Sequence, residues 1–217
     1  MRHVVWDWNG TLFDDRHLVV EGLNAVLDDS GLPRLDAATY QRLYTRPLQR
    51  FYERLFGREL SPQEWTRIDD VFHQAYRAAL DHAGLAADAE PALDALDDAG
   101  VTQSLLSMWR HEELVPLVSQ LGIAERFARI DGLRGVGGGA KAPFMEEHLE
   151  RLTADPGVEP DDVVVVGDAL DDAAAADHVG VRAVLYDGGS HPRDHLEEAG
   201  VPVASTLTEA LRLAGLR

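Results

Sequence analysis

The sequence predicts an α/β protein, a three-layer parallel-sheet core interrupted by an all-helical cap. Three observations carry this expectation. Short β-branched runs at residues 3–6, 101–106, 163–166 and 181–186 end at polar or turn residues, and from residue 91 onward they alternate with helical spacing, as in parallel strands joined by crossover helices. Residues 14–90 contain several helical patterns and no strand pattern. The run Val163, Val164, Val165, Val166 is apolar on both faces, as a central parallel strand requires. The core is therefore expected to comprise residues 1–13 and 91–217, with 14–90 inserted as the cap.

Taken in order, the first strand stops at Asp7, and Asn9-Gly10 turns the chain. Leu18, Val19, Leu23, Val26 and Leu27 recur at helical spacing up to Gly31. Residues 36–57 stay helical, with Tyr40, Leu43, Tyr44, Leu48, Phe51, Tyr52, Leu55 and Phe56 on overlapping faces and Pro47 interrupting them. Ser61-Pro62-Gln63-Glu64 is a capping box with proline at the first helical position, opening a helix to about Gly84. A helix at 91–99 then leads through Gly100 into the strand 101–106, which is expected to end at Ser107-Met108-Trp109. A helix at 111–121 and a short strand at 128–131 follow. Residues 135–139 form a loop with four glycines ahead of Lys141, Pro143 and a helix to about Leu152. Strand 163–166 ends at Gly167-Asp168, an alanine-rich helix begins near Asp171, and strands at 181–186 and 201–204 complete a Rossmann-like core.

Composition narrows the function. With 38 acidic against 20 basic residues the net charge is -18, which argues against nucleic acid or an anionic membrane as partner. The absence of cysteine excludes disulfides and thiol catalysis. A structural strand from residue 3 stands where a leader peptide would have to be, and the apolar runs are too short to cross a bilayer, so a cytoplasmic protein is expected. Among the 20 basic residues Lys141 is the single lysine, which suggests a place where a compact ammonium fits and a planar guanidinium does not.

Four features at strand ends, Asp7, Ser107, Lys141 and Asp168, should meet in the crevice beyond the carboxyl edge of the sheet. Two carboxylates, a hydroxyl and an ammonium suit phosphoryl transfer through an aspartyl intermediate. Mg²⁺ prefers hard oxygen ligands from Asp7 and Asp168, while Lys141 and Ser107 would hold the phosphate.

With these residues in this order the chain resembles the haloacid dehalogenase superfamily, with a helical cap inserted after the first motif. Asp7-Trp8-Asn9-Gly10-Thr11 matches its first motif, Ser107 the second, Lys141 the third, and Gly167-Asp168-Ala169-Leu170-Asp171-Asp172 the fourth. The resemblance implies a small phosphorylated metabolite as substrate and Asp7 as nucleophile. It also implies Mg²⁺ held by Asp7, the Asn9 carbonyl and Asp168, with Asp172 supporting a metal-bound water or Lys141. Backbone amides of Trp8, Asn9 and Met108 would complete the phosphate cradle.

One departure stands out. Phosphatases of the superfamily carry a second aspartate at the position of Asn9, as general acid and then base. An amide cannot move that proton, a loss of about 10²–10⁴ in rate. Acyl or aryl phosphates would lose less than alkyl esters in the first step. A carbon-phosphorus hydrolase would need a cap lysine, and residues 14–90 hold none; dehalogenation is disfavoured by the retained acidic pair Asp168 and Asp172. Arg46, Arg50 and Trp109 are candidate substrate contacts, although solvated helix faces carry arginine routinely and aromatics at strand ends often serve packing. Asp171 is read as a helix-dipole carboxylate. The alternative is a noncatalytic phosphate-binding or regulatory protein on the same fold.

Overall fold

The structure, a computed structural model, describes residues 2–45, 48–134, 139–154 and 158–216. The chain divides into two units, Met1–Asp14 with Leu85–Arg217, and Asp15–Gly84. The second crossing between units thus falls at residue 85 rather than 91. The reason is local. Leu85 bridges Phe13, the Ala86 amide donates to the Leu12 carbonyl at 2.9 Å, and Ala86 and Ala89 are buried, so this segment completes the core.

Among its described residues the larger unit holds six parallel strands: β1 (His3–Trp6), β2 (Thr102–Arg110), β3 (Arg129–Leu133), β4 (Val163–Gly167), β5 (Arg182–Tyr186) and β6 (Val203–Ala204). Their order is β3-β2-β1-β4-β5-β6. Strand β1 is central, with Trp6 opposite Leu105 on one side and Val166 on the other. Chain order reverses across the β1–β4 pair, and at such a reversal the flanking loops part and leave a crevice at the carboxyl edge.

Alternation along the strands sorts side chains to two faces. Val5, Leu106, Val163 and Val165 pack with Met145 and Leu149 of α7 (Ala142–Thr153) and with Ala173 and Ala176 of α8 (Leu170–His178). On the other face the Trp6 indole donates to Gln103, which in turn donates to Asp97 of α5 (Ala89–Asp98). Helices α6 (His111–Gln120), α9 (Arg193–Glu197) and α10 (Leu207–Leu213) belong to the same unit; the last two are short and were not visible as sequence patterns.

Strand β2 runs past Ser107 to Arg110, beyond the expected end. Its register against β3 shifts between Leu106 and Arg110, where Arg110 pairs with Leu133. Gly132 makes the approach feasible, since a Cβ there would lie 2.7 Å from the Trp109 carbonyl and the His111 backbone.

A polar relay crosses the α7 face of the sheet. His3 meets Thr102 through Nδ1 and Ser104 through Nε2, Ser104 meets His148 Nε2, and His148 Nδ1 meets Asp131, each at 2.8 Å. One sense of donation satisfies every atom: Thr102 to His3, His3 to Ser104, Ser104 to His148, His148 to the Asp131 carboxylate, with both imidazoles neutral.

The smaller unit contains α1 (Arg16–Asp29), α2 (Ala37–Leu43), α3 (Leu48–Phe56) and α4 (Pro62–Ala78), followed by a 3₁₀ turn, Leu80–His82. The Ser61–Glu64 capping box is present at the start of α4. Leu23, Val26, Leu27, Tyr40, Phe51, Tyr52 and Ile68 form its core. Asn24 binds both backbone groups of Leu35, at 2.9 and 2.8 Å, and so fixes the turn between α1 and α2.

Burial, with the neighbouring His148, lowers the His3 pKa from 6.5 to about 4. The unfolded chain therefore binds the proton first: this stability is intact above pH 6.5 and is lost as the pH falls toward 4, by up to about 3 kcal/mol. Urea melts across this range should show that decline. His3→Gln should make it shallower, and an equally steep decline in the variant would rule His3 out as its source.

Candidate active site

The first strand delivers Asp7 to the crevice because its amide still pairs with the Val166 carbonyl at 2.8 Å, while its side chain lies beyond the sheet edge. Gly10 then turns the chain at φ +73°, a conformation that a side chain would oppose. The Thr11 and Phe13 amides both donate to the Trp8 carbonyl. Trp8 is fully buried and stacks on Phe13 at 5.1 Å, which holds the turn in place.

Lys141, at the entry to α7, inserts its ammonium between two carboxylates: Nζ lies 2.5 Å from Asp7 Oδ1 and 2.6 Å from Asp172 Oδ1. The Lys141 and Asp172 side chains are each 3% exposed and that of Asp7 11%, so these charges must stabilise one another in place of water. Thr11 donates to Asp7 Oδ2 at 3.2 Å, the Ala169 amide to Asp172 Oδ2 at 3.0 Å, and the Ser190 amide to Asp168 Oδ2 at 2.5 Å. Asp171 accepts the Lys141 backbone N–H at 3.1 Å, satisfying a donor at the start of α7.

Three glycines set the spacing. A Cβ on Gly167 would fall 2.3 Å from the Asp172 carboxyl carbon, and Cβ atoms on Gly10 and Gly189 would fall 2.5 and 2.1 Å from Asp168 Oδ2. The carboxylates occupy the space that side chains at these positions would need.

Asp7, Asp168 and Asp172 each offer one oxygen, all within 4.8 Å of one another. Three carboxylates cluster with one ammonium that touches only two of them, Asp7 and Asp172, and the imbalance appears in their protonation. Burial pushes Asp7 up to about 6, against the pull of Lys141. Asp168 is raised well above the usual carboxylate range by burial, then by the charges of Asp7 and Asp172. Burial works against the charged form of Lys141, yet Asp172 and Asp7 prevail and hold it above its ordinary value. A divalent cation among the three oxygens would match the excess negative charge, so the donor set fits a hard metal ion.

Ser107 is buried, accepts the Trp109 amide at 3.0 Å and donates to Asn9 Oδ1 at 3.4 Å. Met108 is half-buried. Trp109 is half-buried too, with its indole N–H on Glu113 at 2.9 Å. The Trp8 amide is directed at the Asp7 carboxylate. Arg50 is exposed on α3 of the smaller unit; Arg46, Pro47 and most of the glycine loop, residues 135–138, lie outside the described residues. Thr11 and Gly167 figure in the sequence only as members of the first and fourth motifs, without a role, and Gly189 and Ser190 carry no signal at all, since a Gly-Gly-Ser turn does not reveal what it will touch.

A parallel sheet that gathers acidic residues and one buried lysine at its reversal point defines an α/β protein with a polar site at the carboxyl edge of its strands. The family model for haloacid dehalogenase-like hydrolases matches residues 1–180, and the chain belongs to that family. It is 26% identical over 196 residues to a phosphoglycolate phosphatase of Chromobacterium violaceum, covering 87% of this chain and 86% of that one. It is 25% identical over 203 residues to another of Synechococcus elongatus, covering 92% and 90%. A solved haloacid dehalogenase-like hydrolase of Streptococcus pneumoniae shares the fold at TM-score 0.82, with 18% identity and coverage of 98% and 97%.

Replacing Gly189 by alanine should displace Asp168 and weaken Mn²⁺ or Mg²⁺ binding by about tenfold or more, read by titration calorimetry, with circular dichroism unchanged. Wild-type affinity in Gly189→Ala would show that Asp168 does not hold the cation.

Proposed function

We propose that the chain is a cytoplasmic Mg²⁺-dependent phosphohydrolase of a small phosphorylated metabolite, working through a phosphoryl group on Asp7. The observation that supports it best is the buried Lys141 ammonium shared by Asp7 and Asp172 with Asp168 alongside. The relatives from Chromobacterium violaceum and Synechococcus elongatus suggest a substrate like phosphoglycolate.

Asp7, Asp168 and the Asn9 carbonyl would hold Mg²⁺, which supplies positive charge to the phosphate oxygens. Asp7 presents its carboxylate as nucleophile, held by Thr11 and Lys141 so that it does not rotate away from attack. Lys141 is in turn fixed by Asp172, and it steadies charge on the phosphoryl oxygens together with the Ser107 hydroxyl and the Trp8, Asn9 and Met108 amides. Asn9 offers hydrogen bonds at the position where a proton carrier would speed the reaction, so turnover is slow or confined to particular substrates. By the family resemblance the helical unit would serve to select substrate; Arg50 in that unit and Trp109 in the larger one are each candidate contacts.

A phosphate-binding or regulatory protein is the second reading, and it is favoured by Asn9 alone. The purified protein with Mg²⁺ should release product from an activated aryl phosphate, and Asp7→Asn should lower that rate on the order of 10⁴-fold or more. Phosphate binding without turnover would overturn the enzyme in favour of the binding protein.

A further inference from the structure

The side chains that hydrogen-bond Asp7 are both donors: Lys141 on Oδ1 and Thr11 on Oδ2. The carboxylates beside it are engaged as well, Asp172 by Lys141 and the Ala169 amide, Asp168 by the Ser190 amide. Ser107 takes the Trp109 amide on its oxygen and turns its own hydrogen to Asn9 Oδ1. That contact sets the carbonyl oxygen of Asn9 against Ser107, and an amide at this position steadies negative charge through its N–H groups without carrying a proton. Three histidines of the core are committed elsewhere: His3 and His148 in the buried relay, and His111 to the Gly132 amide and Arg134.

We propose that the site takes phosphoryl donors whose leaving group departs as a stable anion, an acyl phosphate foremost, and that the phosphoryl group then stays on Asp7 because hydrolysis is the slow step. This rests on Asp7 being the nucleophile, as proposed above. In the first step an ionised Asp7 oxygen forms a bond to phosphorus while the bond from phosphorus to the acyl oxygen breaks. The electron pair leaves with that oxygen, and the product is a carboxylate that needs no proton. An alkyl phosphate would instead have to release an alkoxide, which calls for a proton that Asn9 cannot supply. In the second step water attacks the phosphorus of the Asp7 acyl phosphate, and the bond from phosphorus to the Asp7 oxygen breaks to restore the carboxylate and release phosphate. The attacking water must lose a proton, again with no carrier at position 9. Hydrolysis is then slowed by about 10²–10⁴ while attack on an acyl donor is not, so phosphorylated protein accumulates.

Rapid-quench reactions of the full chain with Mg²⁺ and acetyl phosphate, an aryl phosphate or an alkyl phosphate, followed by intact-protein mass, test this. The expected result is about one phosphoryl group per chain from acetyl phosphate, a product burst from the aryl ester, and an alkyl rate lower by about 10² or more. Asn9→Asp should remove the burst and raise alkyl turnover by about 10²–10⁴. Wild-type protein that releases product steadily without carrying phosphate, or that hydrolyses the alkyl ester as fast as Asn9→Asp, would overturn the inference while leaving the phosphohydrolase intact. If that steady turnover were lost in His191→Asn, the buried histidine after Ser190 would be the proton carrier instead. No product from any donor, with Asp7→Asn indistinguishable from wild type, would instead remove the underlying assignment of Asp7.

Discussion

The ammonium of Lys141 between Asp7 and Asp172 is the contact on which the rest of the core depends. Two carboxylates taken out of water and set against a third would repel one another. A single cation with three donors on a thin, flexible stem reaches both, a geometry that the rigid planar fork of a guanidinium does not share. Three separate segments therefore have to arrive together: the end of β1, the entry to α7 and the first turn of α8. Asp171 adds a second tie between the two helices by accepting the Lys141 backbone N–H. Removing the lysine would leave two buried carboxylates uncompensated, a cost far above that of losing an exposed ion pair.

Sheet topology makes this convergence attainable. The reversal of chain order across β1 and β4 opens the crevice between strands that carry Asp7 and Asp168 at adjacent ends. Backbone without side chains then lets the acids approach: Gly10, Gly167 and Gly189 all stand where a Cβ would strike a carboxylate. The irregular end of β2 belongs to the same economy of space, since it turns Ser107 toward Asn9 while Gly132 lets β3 follow closely.

Below the crevice the His3–Ser104–His148–Asp131 relay spans β1, β2 and β3 and meets α7 at His148, two helical turns beyond Lys141. Asp131 is held as a carboxylate: burial opposes its charge, but His148 and Arg129 outweigh it and keep the pKa below the usual range. A satisfied polar network of this kind specifies how a helix lies on a sheet more sharply than apolar packing does, because sliding it would leave buried donors and acceptors unpaired.

Periodicity and turn chemistry along the chain sufficed for the larger elements. The β1 bounds, the capping box of α4, the central place of β4 and the helices α1 to α4 within the stretch 14–90 all follow from local pattern, because burial on one face writes itself into residue spacing. The single lysine and the acids at strand ends were legible for the same reason: their type and position are local facts. Tertiary structure alone decided what they touch. That Ser107 faces Asn9, that Ser190 binds Asp168, that β2 continues past Ser107 and that residues 85–90 join the core all depend on partners far away in sequence. Such contacts are chosen by packing and by the pairing of buried polar groups, which leave no period in the chain that makes them.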